Sequence, residues 1–127
     1  MNITLFDQAP QPKDRIRFEE LEIVIYPDRF RVFIHLRVTL FQERPNLLLV
    51  ARTSDGRIAA ELDIIETMHH DMEFTMHLRG SDDPAGDYIL TADVFYESRN
   101  PPQDRRLVSF TVPPMSAEPA SDESPSS

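Results

Sequence analysis

The sequence predicts an all-β domain, a seven-stranded antiparallel β-sandwich. Three observations carry this. Apolar residues recur with a period of two along most of the chain, turn-forming residues interrupt that pattern every ~10–12 residues, and no segment shows a helical period.

The first alternating run, β1, covers residues 17–25, with Leu21, Ile23 and Ile25 against Glu20 and Glu22. The clearest run, β2, covers 29–41: Phe30, Val32, Ile34, Leu36, Val38 and Leu40 alternate with Arg31, His35, Arg37 and Thr39, the mark of a half-buried strand. Residues 47–53 form β3, where Leu47-Leu48-Leu49-Val50-Ala51 is continuously apolar, as in a strand covered on both faces. Ser54-Asp55-Gly56 reads as a hairpin turn leading into β4 (57–65), with Gly56 free to take positive φ. Met72, Phe74, Met76 and Leu78 define β5 (72–79). Tyr88, Leu90, Ala92, Val94 and Tyr96 define β6 (87–97), and Val108, Phe110 and Val112 define β7 (105–112). Pro101-Pro102 and Pro113-Pro114 close the last two strands, because proline cannot donate to a ladder.

The chain divides into a lead-in (1–16), a sandwich domain (17–112) and a tail (113–127). The tail is proline, serine and acid, a composition that cannot bury enough apolar surface to offset its chain entropy, so disorder is expected there. The net charge is −9 over 127 residues. The tail holds three acids and no base, so the remainder stands at −6. That sign argues against nucleic acid as partner. Zero Cys excludes a disulfide framework, thiolate metal sites and a cysteine nucleophile. No run of 18 apolar residues is present, so no membrane partner is expected. The first seven residues lack a basic region followed by an apolar one, so no signal peptide is expected and the cytoplasm is the default compartment.

Gly86-Asp87-Tyr88-Ile89-Leu90 at the start of β6 resembles the G-x-Y-x-L segment of bacterial immunoglobulin-like and fibronectin-III-like sandwiches. The resemblance implies that Gly86, Tyr88 and Leu90 form a structural corner, with the tyrosine hydroxyl bonded to the chain just upstream. It also implies that β1, β2, β5 and β4 share one sheet and β3, β6 and β7 the other. It implies no function, because such folds host many roles.

Catalytic chemistry finds little support. Three glycines leave no phosphate-cradling loop and no nucleophile elbow, and no nucleophile–base–orienter set can be assembled, so an enzyme is not expected. His35 and His77 both fall on outward phases, and the expected sheet order makes them face one another. His69, His70 and Asp71 share the turn before β5. Two imidazoles begin a Zn²⁺ site, but three or four ligands are needed. Ordinary surface histidines are the expectation, no cofactor is expected, and these five residues are the weak metal candidates. The acids of the loop before β6, Asp82, Asp83 and Asp87, lack calcium-loop spacing.

The outer faces of the two expected sheets differ. One is mixed in charge. The other gathers Leu48, Val50, Ile89, Phe95 and Leu107, and an exposed apolar face of that kind marks an interaction surface. Two occupants suit it: a partner or second copy, or the N-terminal segment folding back with Ile3, Leu5, Phe6 and Ile16. The leading expectation is a non-catalytic interaction module, acting as a homo-oligomer or on another protein. The alternative is a ligand- or metal-binding accessory domain using the loops before β5 or β6.

Overall fold

The computed structural model describes residues 9–115. The expected N-terminal cover (Ile3, Leu5, Phe6) and nearly all of the expected disordered tail lie outside that range. Seven strands form: β1 (Phe18–Ile25), β2 (Arg31–Val38), β3 (Asn46–Thr53), β4 (Ile58–Ile64), β5 (Asp71–His77), β6 (Gly86–Phe95) and β7 (Asp104–Val112). The only helix among the described residues is a 3-10 turn at Lys13–Arg15. It is too short to cross a membrane, and no described helix is long and apolar enough to do so. All pairings between these strands are antiparallel.

The strands make two sheets, ordered β1-β2-β5 and β4-β3-β6-β7. This corrects the expected sheet order, because β4 joins β3 rather than β5. The cause is the turn. The Gly56 N–H donates to the Thr53 carbonyl and the Thr53 N–H to the Arg57 carbonyl, both at 2.9 Å, with Gly56 at φ +92°. So tight a connection keeps both strands in one ladder. After β3 the chain stays in the same sheet through β4 and crosses to the other sheet in the longer segment between Ile64 and Asp71.

The period-two pattern puts alternate side chains of both sheets into one hydrophobic cluster. Val32, Ile34, Leu36 and Val38 of β2 meet Leu47, Leu49 and Ala51 of β3 and Leu90, Ala92 and Val94 of β6 there. These face inward, so Leu48 and Val50 of β3 face outward with Arg52. Ile16 is completely buried in this cluster. It therefore does not cover the outer face of the four-stranded sheet, as one alternative expected. At β6 the buried Tyr88 hydroxyl donates to the Pro84 carbonyl at 2.7 Å. The Tyr88 ring stacks on Phe110 of β7 with centroids 5.1 Å apart and planes 6° from parallel. Gly86 takes φ +134°, a backbone region that disfavours any side chain.

Candidate interaction surface

The ladder registers arrange the outer face of the four-stranded sheet in rows. Asp63, Leu48, Asp93 and Arg105 form one row, and Glu61, Val50, Thr91 and Leu107 the next. In a third, Arg52 lies between Ile58 and Ile89, with Ser109 beyond. The apolar row expected on β3 is present but not exposed. Leu48 and Val50 are only 8% and 6% accessible and floor a groove of about 410 Å³, with Arg52, Asp93, Arg99 and Arg105 among its walls. Ile89 and Leu107 remain exposed, at 42% and 62%, and Phe95 is half-buried at the C-terminal end of β6.

Asp93 organises one side of this groove. It is buried, and Arg105 reaches it with two hydrogen bonds, from Nε at 2.6 Å and Nη2 at 3.0 Å. Such a fork-on-carboxylate pair is geometrically specific. The Asp93 carboxylate in turn holds the Arg105 guanidinium above its ordinary pKa. Among the described residues Arg52 and Arg99 make no ion pair, and neither do Glu61 and Asp63. Charge is therefore divided across the sheet, acid on β4 and base on β7 and the loop before it.

The outer face of the three-stranded sheet is assembled differently from expectation. His35 stands opposite Glu73, and His77 stands opposite Arg31, so the two imidazoles do not face one another. Four residues along β5 separate Glu73 from His77, roughly 13 Å of strand rise. Instead His35 Nδ1 lies 3.3 Å from Glu22 Oε1 and 4.0 Å from Glu20 Oε2, while Nε2 lies 2.7 Å from Asp71 Oδ1. The hydrogen bond to Asp71 raises the His35 pKa above the usual imidazole value, helped by Glu22 and opposed by partial burial. Arg37 donates from Nη1 to Glu20 Oε1 at 2.8 Å and from Nε to Glu19 Oε1 at 3.1 Å.

The loop candidates are dispersed. The His69 backbone N–H donates to Thr67 Oγ1, and the His70 ring lies against the Val38 carbonyl, each at 3.3 Å. Asp71 alone of that trio turns to His35. Before β6, Asp83 accepts from the Ala85 N–H and from Arg29, which together lower its pKa, while Asp87 accepts from Thr111. Sequence reasoning missed the Asp93–Arg105 pair, which depends on a register set across the long segment between β6 and β7. It also missed the convergence of Glu20, Glu22 and Asp71 on His35. Their shared outward phase was readable, but their register was not.

No family model matches the chain, and no curated protein does. Solved structures do. A glycosyl hydrolase family 2 member from Bacteroides cellulosilyticus DSM 14838 matches with a TM-score of 0.50 at 9% identity, covering 76% of this chain and 15% of its own. A Bifidobacterium dentium β-glucuronidase complexed with coumarin-3-O-glucuronide matches at 0.47 and 15% identity, covering 76% of this chain and 18% of its own. The chain thus spans less than a fifth of the length of these proteins, and its likeness to the first is one of all-β fold alone.

Proposed function

We propose that the chain is a non-catalytic interaction module that pairs with a second copy of itself through the outer face of the four-stranded sheet. The two sheets, in this reading, are the layers of an immunoglobulin-like sandwich. The observation that carries it is the division of charge around the apolar floor. A two-fold axis running along the strands, between β3 and β6, lays β4 of one copy over β7 of the other. The ends of the first row then become complementary in charge. Asp63 lies over Arg105, with Arg99 beside it, and Glu61 lies over Leu107. Val50 lies over Thr91, and Leu48 over the Asp93 end of the same row. The exposed Leu107 and Ile89 leave water against the aliphatic stems of Glu61 and Arg52 of the other copy, and the rim charges set the register. The loops before β5 and β6 are less favoured as a ligand site, because the His70 ring is turned to the Val38 carbonyl, Asp71 to His35, Asp83 to Arg29 and the Ala85 N–H, and Asp87 to Thr111.

Light scattering on the full chain tests this. The wild type is expected to show twice the 14.7 kDa chain mass at high micromolar concentration. Leu107→Arg is expected to shift it to the single-chain mass with an unchanged far-ultraviolet dichroism spectrum. Val24→Arg alters an equally exposed apolar residue, 57% accessible on the other sheet, and is expected to stay paired. A wild type of single-chain mass, or a pair that survives Leu107→Arg, overturns the reading.

A further inference from the structure

We propose that Glu20, Glu22 and His35 form a binding site for one divalent first-row transition-metal ion of the zinc class, on the outer face of the three-stranded sheet. The ligand set is built by strand geometry. Residues 20 and 22 alternate on β1 and so share a face, and His35 sits directly opposite Glu22 on β2. One oxygen from each glutamate and Nδ1 of His35 all lie within 4.8 Å of one another, the only such trio among the described residues. Bonds of about 2.0–2.1 Å to nitrogen and oxygen give a tetrahedral site ligand–ligand edges of roughly 3.3 Å. The Glu22 oxygen already stands at 3.3 Å from Nδ1 and the Glu20 oxygen at 4.0 Å. Rotation of the exposed Glu22 and half-buried Glu20 side chains closes the remainder, so the backbone need not move.

The surroundings match what a metal-ligating imidazole requires. Asp71, from a different strand, takes the Nε2 side of the ring at 2.7 Å, so once Nδ1 gives up its proton to a metal the proton on Nε2 is held and the Nδ1 lone pair faces the two glutamates. Arg37 occupies Oε1 of Glu20 and leaves Oε2, the oxygen nearer His35, for the ion. Glu19 and Glu73 add negative charge nearby. An imidazole in the set favours zinc, copper or nickel over calcium and magnesium, which take oxygen alone. Three protein ligands leave the fourth position to solvent, or to a group presented by a partner. The site lies on the opposite sheet from the proposed pairing face, so the two can succeed or fail separately.

Calorimetric titration of the full chain with Zn²⁺ at about pH 8, where ligands are deprotonated, together with Co²⁺ absorption spectroscopy, tests the site. One equivalent of Zn²⁺ is expected to bind, with a tetrahedral Co²⁺ band in the visible. His35→Gln and Glu22→Gln are each expected to abolish both signals. The triple variant His69→Gln/His70→Gln/His77→Gln is expected to keep them, and Asp71→Asn to weaken affinity by about 10–100-fold. Leu107→Arg should leave binding intact. Far-ultraviolet dichroism establishes that each variant is folded, and if His35→Gln fails to fold, Glu22→Gln decides. No binding by the wild type overturns the proposal, as does binding that persists in His35→Gln and is lost in the triple variant.

Discussion

Removing a single oxygen atom at position 88 tests how the start of β6 is held. In Tyr88→Phe the ring keeps its place against Phe110, with centroids 5.1 Å apart, so no cavity opens. Only the 2.7 Å bond from the hydroxyl to the Pro84 carbonyl is lost. Both residues are buried, so that carbonyl loses a partner where water does not easily replace it. Leaving a buried acceptor unsatisfied costs about 1–3 kcal/mol, and the lower half of that range applies because the ring packing is retained. With a urea m-value of roughly 1–2 kcal/mol/M, the midpoint should fall by about 1 M with the slope unchanged. Equilibrium urea unfolding followed by dichroism reads this directly. A midpoint within ~0.2 M of wild type, where the same m-values make the loss less than half a kcal/mol, would refute the claim that this bond anchors the corner.

Leu49 is fully buried between the sheets, so Leu49→Ala combines lost burial with a cavity and should cost about 2–5 kcal/mol in the same unfolding assay; a loss below 1 kcal/mol would place it outside the core. Burial raises the Tyr96 pKa to about 12, so its neutral form stabilises the fold up to the ordinary tyrosine range, and that contribution is lost as pH climbs towards 12. The tyrosinate absorbance removed by Tyr96→Phe should therefore have its midpoint near 12 rather than about 10. Arg105→Met should lower thermal stability more than Arg52→Met, because only Arg105 pairs with the buried Asp93 carboxylate; equal effects would mean that solvent satisfies Asp93 without it.

Strand positions and inward phases were legible because each depends on nearest neighbours in sequence. The alternation in β2 marks Val32, Ile34, Leu36 and Val38, and these four are buried. In β3 the continuous run Leu47–Ala51 hides its phase, since every residue is apolar, and only pairing with β6 places Leu48 and Val50 outward. Sheet membership of β4 turned on one short segment. The Ser54-Asp55-Gly56 turn dictates a hairpin, and that local geometry outweighs the strand order implied by the immunoglobulin-like resemblance. The sites were harder to read, because both depend on register between distant strands. His35 meets Asp71 through the β2–β5 ladder, and Asp93 meets Arg105 through β6–β7. In a ladder a slip of one residue exchanges the faces, and a slip of two replaces every partner on a face. Outward phase alone therefore identifies candidates without saying which of them touch.

The absence of cysteine makes the pairing geometry directly measurable with spin labels. A single nitroxide at Ser109→Cys lies on exposed β7, at the edge of the proposed contact. Under a two-fold axis along the strands, the two labels are offset by three strand spacings and one sheet-to-sheet gap, roughly 15–25 Å in all. A label at Glu73→Cys sits on the outermost layers of the pair, beyond about 35 Å by the same spacings. Pulsed dipolar spectroscopy should show the short intermolecular distance at Ser109 and only the long one at Glu73. No intermolecular coupling at Ser109, or a shorter distance at Glu73 than at Ser109, would contradict pairing through the four-stranded sheet.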